Sequence, residues 1–434
     1  MFREEKSEGG ENVNLRDVLL KGRRCTFQDR VDFFLSTLSK LNAGHQNLYM
    51  RPVTSPADRE VEIIDPVTGK VKKMLMFGSN NYLGLANHPY VREKVSDSIN
   101  RYGVGIGGPP LLNGYTCLHK DLEERLSAFK GSEDTLIFST GYGANVGLIT
   151  ALVNRGDTML YDEYSHASFC DGLKMGNVKA SHFRHNDVSG LSDLLERHPT
   201  SSVSDTFVGV EGVYSMDGDL APLDKIARLC KQKKAILIVD DAHGTGVMGE
   251  TGRGTAEYFG VDGMVDVTMG TFSKTFGAVG GFVSASKPII DYMRFFARSY
   301  MFSASLPPVI IAAVLAGLDI IEQEPTRIRQ LHENVRYAAN GLKNLGMNVF
   351  PQAAIIALRV PETMDIRKAA YCFHTSGIFV NAIEYPAVPV NQQRFRISLM
   401  ATHTKADIDR LLECVEETWA RCASTKHVIK SLAA

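Results

Sequence analysis

No stretch of this chain is long and apolar enough to suggest a membrane span. The longest apolar run, Val309–Ile321, falls short of the roughly 20 residues a spanning helix needs, and Asp319 interrupts it. Coming after Pro307 and Pro308, it reads as a buried helix. Cysteine is scarce and scattered: Cys25, Cys117, Cys170, Cys230, Cys372, Cys414 and Cys422 make seven, an odd number with no CxxC pair. Neither a disulfide framework nor a zinc site fits that pattern, no metal site is expected, and a reducing, cytoplasmic compartment is the expectation. Excess charge of either sign is missing too. A formal net charge of -1 predicts no broad attraction to nucleic acid or anionic membrane. No GxxxxGK[ST] loop occurs, so nothing supports a nucleoside triphosphatase. The segment Met1–Asn14 is polar, lacks the apolar core of a signal peptide and reads as a flexible tail. No internal repeat is present.

What the chain does have is length and rhythm. Its 434 residues exceed one ordinary small domain, and 44% hydrophobic against 22% charged residues is a globular balance with ample core. Residues 15–50 carry helical spacing, with Val31, Phe34, Leu35, Leu38 and Leu41 on one face. From Met74 onward, short apolar runs alternate with helical stretches. The runs are Thr135–Phe138, Thr158–Tyr161, Thr206–Val210, Ala235–Val239 and Val265–Met269. Helical spacing returns at Lys120–Phe129 and Leu223–Cys230. This βαβα rhythm predicts an α/β fold with a mostly parallel central sheet and helices on both faces. Beyond Met301–Pro308 a helical region, roughly 309–346, precedes short strands at Ala354–Val360 and Phe395–Leu399 and a closing helix near 405–422. The expected division is a tail and helical segment (1–74), a large α/β domain (75–300) and a small α+β domain (301–434).

Two glycine-rich segments invite a wrong reading. Gly244, Gly246 and Gly249 match GxGxxG after an apolar run, as a dinucleotide loop would. Two aspartates and a histidine intervene, however, and Gly252 and Gly254 break any following helix. Gly103, Gly105 and Gly108 match as well, but Pro109 and Pro110 block a helix interior there, and a flexible loop is the better reading.

The chemistry gathers at loops beyond the strands. In Gly270-Thr-Phe-Ser-Lys274-Thr-Phe-Gly277, small residues leave room for a ligand and hydroxyls can bind phosphate oxygens. A confined lysine there can lose its proton and form a Schiff base. A surface lysine in a Gly/Ser loop is the plainer alternative. In Ile236-Leu-Ile-Val-Asp240-Asp-Ala-His243, a carboxylate ends an apolar strand, where α/β ligands bind. It can pair with a protonated pyridine nitrogen and keep the ring an electron sink, while His243 can bond the ring's phenolic oxygen. Two aspartates capping a loop is the competing reading. Thr135–Gly141-Tyr142 reads as strand, tight turn and helix, with backbone N–H groups suited to a phosphate. His166, at a helix start, can stack on a ring or simply cap the helix. Ser215 follows another strand and can touch the same ligand or serve as a turn residue.

In this order the motifs resemble those of the α-oxoamine synthases, a branch of the fold-type-I pyridoxal-phosphate (PLP) enzymes. The resemblance runs from Tyr49-Met-Arg-Pro52 to Thr404. It includes Met76-Phe-Gly-Ser-Asn-Asn-Tyr-Leu-Gly84, Met269–Lys274, Met301-Phe-Ser-Ala-Ser305, Pro386-Ala-Val-Pro389 and Arg396–Thr404, and these blocks look closest to bacterial serine palmitoyltransferase. The resemblance implies PLP on Lys274, which also moves the α-proton, with Asp240 on the pyridine nitrogen, His243 on the ring oxygen and His166 stacked on the ring. It places Gly141, Tyr142, Thr271 and Ser273 around the cofactor, with Ser215 near it. It assigns Ser303 and Ser305 to the neighbouring subunit's phosphate in a homodimer with shared active sites. Asn80 and Arg396 match positions for the amino-acid carboxylate, with Arg394 as the fallback. Implied substrates are L-serine and a long acyl-CoA such as palmitoyl-CoA, giving an α-amino ketone, CoA and CO2. One block departs: Pro109-Pro110-Leu111-Leu112-Asn113-Gly114 stands where serine palmitoyltransferases have Ser-Arg-Phe-Leu-Asn-Gly, which leaves the acyl group and the amino acid open.

Other readings stand beside this one. An 8-amino-7-oxononanoate synthase or 2-amino-3-ketobutyrate CoA ligase type of activity would use a different amino acid, and an enzyme of secondary metabolism could take an acyl carrier protein. A catalytically silent partner subunit would lack the working lysine. A nicotinamide oxidoreductase would use Gly244–Gly249.

Overall fold

The computed structural model describes residues 25–423. The expected tail and the first part of the 15–50 segment lie outside them. The first described helix, Phe27–Ala43, opens on a capping box. The Asp29 N–H donates to Thr26 Oγ1, and the Thr26 N–H donates back to the Asp29 carboxylate, each at 3.2 Å. Of the expected apolar stripe only Leu41 is buried; Phe34 and Leu35 are 42% and 52% exposed. Helical periodicity identifies a face without guaranteeing that the same chain covers it.

Among the described residues, thirteen strands form three sheets. The strands are β1 (Glu60–Ile64), β2 (Val71–Met76), β3 (Asp134–Phe138), β4 (Thr158–Asp162), β5 (Lys179–Phe183), β6 (Thr206–Glu211) and β7 (Ile236–Asp240). They continue as β8 (Val267–Thr271), β9 (Gly281–Ala285), β10 (Ile355–Arg359), β11 (Ile378–Phe379), β12 (Asn381–Ile383) and β13 (Arg394–Ser398). The large sheet has seven strands in the order β3-β9-β8-β7-β6-β4-β5. All its registered pairs are parallel except those of β9, which runs antiparallel to β3 and β8. The sheet is therefore mostly parallel, as the rhythm predicts, and the five expected runs became β3, β4, β6, β7 and β8. Sequence reading missed β5 and β9. At the edge strand β5 only Phe183 is buried, so it carries no alternation. Strand β9 follows a glycine-rich turn, has only Phe282 and Val283 as bulky apolar residues and is buried at every position, so it shows no alternation.

Strand residues alternate faces, and both faces of this sheet are covered. Ile238, Met269, Val283 and Phe207 pack with the helices Gly141–Leu152 and Ala167–Gly176. Leu237, Val239, Val208 and Leu160 pack with Leu191, Leu223 and Ile226 on the other side. Asp240 shares its face with Ile238, and Glu211, its register partner on β6, shares its own with Phe207. Both carboxylates therefore lie on the face covered by these two helices.

The C-terminal part supplies the helices Pro308–Gln323, Thr326–Asn344 and Lys405–Ala423, together with the antiparallel sheet β10-β13-β12. Its core is continuous with the large sheet through Phe272, Phe276 and Phe282, which cluster with Ile311, Leu318, Ile355 and Phe395. Along β13, Arg394, Arg396 and Ser398 fall on one face, and Phe395 and Ile397 turn into the core. Among the described residues no helix is long and apolar enough to cross a membrane.

Candidate active site

Five strands deliver their carboxyl ends to one crevice. Beyond β3 comes Gly141, beyond β4 His166, beyond β6 Ser215, at the end of β7 Asp240, and beyond β8 Lys274. Ligands of open α/β sheets bind at this edge.

Asp240 is buried and held at both oxygens. Asn145 Nδ2 donates to Oδ2 at 2.7 Å, and the Ala242 N–H donates to Oδ1 at 3.1 Å. The neighbouring Asp241 does different work. It pairs with buried Lys130 at 3.1 Å and accepts the Thr255 N–H and hydroxyl at 3.2 and 2.7 Å. The adjacent aspartates thus divide between ligand site and loop support. Asp241 also accounts for a false dinucleotide motif, since a Cβ on Gly244 would lie 2.0 Å from Asp241 Oδ1. No helix follows directly; the next runs Thr255–Phe259. Gly108 is small for a similar reason, its Cβ position lying 1.8 Å from Asn113 Oδ1. Its segment leads into one wide turn, Pro110–Gly114, in which the Gly114 N–H reaches Pro109 O at 3.0 Å.

Burial depresses the Lys274 pKa to about 8, against the opposing charges of Asp240 and Glu211 and with the help of Arg396. A lysine so placed is readily neutral and nucleophilic. Below pH 8 the neutral fraction should fall about tenfold per pH unit, and above it the fraction levels off. Uptake of PLP by the cofactor-stripped chain, followed by its absorbance, should show that profile. A flat rate from pH 6 to 9 would contradict the placement of this amine.

His243 is buried, and desolvation, reinforced by the charge of Lys274, holds its pKa well below the usual histidine value. Its Nδ1 meets the Tyr82 hydroxyl at 2.8 Å, leaving Nε2 for a ligand. Tyr82 is fully buried and lies 3.4 Å from Arg396 Nη2. Arg396 donates from Nε to Ser215 O at 2.6 Å, and from Nη1 to Asn80 Oδ1 at 2.9 Å and Ser398 Oγ at 3.0 Å. Asn80, Arg396 and His243 therefore form one connected wall. Arg394, the fallback, is spent elsewhere: it is 1% exposed and ion-paired to Asp217.

The phosphate end is built on close backbone contact. A Cβ on Gly141 would lie 2.7 Å from Thr271 Oγ1, so only glycine lets this turn approach β8. Thr140 caps the helix, taking the Gly143 N–H at 2.8 Å. The N–H groups of Gly141 and Tyr142 have no intrahelical acceptor and face an anion-binding position. The Thr271 hydroxyl donates to Gly280 O and touches Ser273 Oγ, both at 2.9 Å, leaving Ser273 as the hydroxyl free to turn. Tyr142 is half exposed, with its hydroxyl on Asp171 at 2.7 Å. The Ser303–Ser305 segment lies beside this turn, where Ser139 Oγ donates to Ala304 O at 2.5 Å, and Ser305 Oγ is buried without a partner. His166 caps the helix Ala167–Gly176, and its ring stays exposed to the crevice.

At the rim, His185 sits between Asp162 (3.1 Å) and Asp219 (2.8 Å) and stacks on Tyr164. Burial opposes its protonation, but the hydrogen bonds of Asp162 and Asp219 outweigh it and hold its pKa at about 10. This clamp joins β4 to the turn carrying Ser215. Tyr82, Asn145, Ser168, His185 and Glu211 were not singled out from the sequence. Asn145 left one signal, a poor helix former inside the helix that follows the phosphate turn.

An anion-binding turn, a desolvated lysine, a carboxylate at a strand end and an open histidine ring fit a phosphorylated pyridine aldehyde. Fold and donor set define a fold-type-I PLP enzyme. Residues 72–415 match the family described as aminotransferase class I and II. The chain is 41% identical to a serine palmitoyltransferase of Bacteriovorax stolpii, over 81% of this chain and 84% of that one. It is 43% identical to an 8-amino-7-oxononanoate synthase of Geotalea daltonii, over 79% and 88%. It also superposes on a serine palmitoyltransferase variant from S. paucimobilis solved with PLP and myriocin, with a TM-score of 0.86 and 31% identity, covering 92% of this chain and 100% of that one. The chain belongs to the aminotransferase class I and II family, in its PLP-dependent α-oxoamine synthase branch.

Proposed function

We propose that this enzyme condenses L-serine with a long-chain acyl-CoA such as palmitoyl-CoA, releasing CoA and CO2 and forming a 3-ketodihydrosphingosine-like α-amino ketone. The observation that carries the reaction type is the desolvated Lys274 amine beside Asp240 and Arg396. Support for serine and the long chain comes from the shared blocks and from the serine palmitoyltransferase relatives. Bound PLP supplies an electron sink for charge developing at the amino acid's α-carbon.

The chain's own residues do the rest. Arg396, braced by Asn80, Ser398 and Ser215 O, offers the substrate carboxylate its positive charge and the remaining Nη2 N–H and orients it for CO2 loss. The neutral Lys274 amine takes the α-proton and later returns one. Asp240 keeps the pyridine nitrogen protonated, and His243 bonds the ring oxygen. His166 covers the ring face. The first-turn N–H groups of Gly141 and Tyr142, with Ser273, hold the phosphate. Ser303 and Ser305 serve the neighbouring subunit's phosphate in a homodimer.

A second reading has its own support, since an 8-amino-7-oxononanoate synthase is as similar in sequence. A panel of serine, alanine and glycine against palmitoyl-CoA and shorter acyl-CoAs separates the two by thiol release. Serine with palmitoyl-CoA should be the fastest pair. Turnover with alanine alone would replace the serine assignment, and turnover only with an acyl carrier protein would replace CoA.

A further inference from the structure

We propose that Asn145 and Ser168 form a positioning strut that ties His166 to Asp240 and locks His166 as its Nε2–H tautomer. The inference rests on the site reading above, in which these two side chains flank the cofactor ring, but not on the choice of substrate.

Asn145 is buried, and its amide nitrogen contacts Asp240 Oδ2 at 2.7 Å and Ser168 Oγ at 2.9 Å. An amide nitrogen donates only, and it has two hydrogens. Both are used. Turning the amide over would set its oxygen against the Asp240 carboxylate, two acceptors at hydrogen-bond distance, so the orientation follows from its neighbour. Ser168 Oγ thus accepts from Asn145, and its single hydrogen is free for His166 Nδ1, 2.7 Å away. The Ser168 backbone N–H points at the same Nδ1 from 3.2 Å. Nδ1 therefore accepts twice, and the proton of the neutral ring belongs on Nε2.

The consequence is chemical. Neutral His166 offers the crevice an N–H donor and no free lone pair. It can orient a carboxylate or carbonyl, but it cannot take the α-proton. That leaves Lys274 as the base. The strut also couples the two sides of the ring, since a single amide holds both the carboxylate at the pyridine nitrogen and the serine that sets the histidine.

The holoenzyme labelled with 15N-histidine tests this by NMR, with the His166 signal assigned by its loss in His166→Phe. In the wild type, Nδ1 should show the shift of an unprotonated nitrogen and Nε2 that of a protonated one. A protonated Nδ1 in the neutral ring would overturn the proposal without any variant. Ser168→Ala should lower the tautomer preference about five- to tenfold, the worth of one hydrogen bond. Asn145→Leu should in addition move the pH midpoint of the cofactor's absorbance change, because Asp240 loses one of its two donors; Ser168→Ala should leave that midpoint in place. If the folded variants kept both the wild-type tautomer ratio and the wild-type midpoint, the two residues would be mere packing and the strut would be refuted. None of these readouts depends on which amino acid the enzyme uses.

Discussion

Lys274→Ala should lower turnover by about 10³- to 10⁴-fold, the upper range for removing a positioned acid–base group, while PLP still binds. Binding should persist because the Gly141 turn and Asp240 belong to other elements than the lysine, and the substitution leaves the neighbouring Ser273 hydroxyl in place. Covalent attachment should vanish. After borohydride treatment of the wild type, peptide mass spectrometry should find the pyridoxyl mass on the peptide carrying Lys274 and nowhere else. Lys274→Arg should fare no better than alanine, because a guanidinium stays charged at any working pH and cannot exchange the α-proton. The substitution also separates two kinds of failure. A protein that keeps cofactor colour but not turnover has lost the base. If Lys274→Ala keeps more than a tenth of wild-type turnover, or if the label sits on another lysine, the central assignment is wrong.

The two arginines of β13 should fail in different ways when changed. On the proposed reading, Arg396→Gln removes the group that meets the substrate carboxylate. Charge-assisted hydrogen bonds are worth about 1.5–3 kcal/mol each, so the amino-acid KM should rise roughly 10- to 100-fold. Acyl-CoA dependence should change little, while the unfolding midpoint should fall because Ser215 O, Asn80 Oδ1 and Ser398 Oγ lose a donor; the rise in KM is the signature that sets this variant apart. Arg394→Leu instead strips the buried partner from Asp217. Breaking such a pair costs about 3–5 kcal/mol, and the low end applies because Asp217 is itself 21% exposed. Its signature is a lower urea midpoint with little change in KM for the folded fraction. Steady-state kinetics beside urea denaturation distinguishes the cases. Should Arg394→Leu raise KM and Arg396→Gln leave it alone, the carboxylate belongs to Arg394.

That pair also shows where sequence reading stops. Two residues apart on one strand, both arginines face the same way, and nothing local separates them. Asp217, brought in from the turn after β6, takes the charge of Arg394, whereas Ser215 O, Asn80 Oδ1 and Ser398 Oγ, the acceptors of Arg396, are neutral. The aspartates at 240 and 241 show the same thing: the strand end marks the first for the site, and only Lys130 and Thr255, distant in sequence, claim the second. Strand β5 was hidden because an edge strand with one buried residue carries no alternation, and β9 because Phe282 and Val283 alone, between small residues on a strand buried throughout, make too short an apolar run. The exposed Phe34 and Leu35 followed a true helical period with nothing on that face to cover them.

The sequence by itself determined the alternation of strands and helices, the mostly parallel sheet, and which loops hold Lys274, Asp240, His166 and Gly141. Those are local consequences of apolar periodicity, of glycine where the backbone must come close, and of polar residues at strand ends. The tertiary structure decided what each side chain has left to give. Hydrogens and charges are finite, and a residue's role is what remains after its neighbours in space, not in sequence, have taken their share.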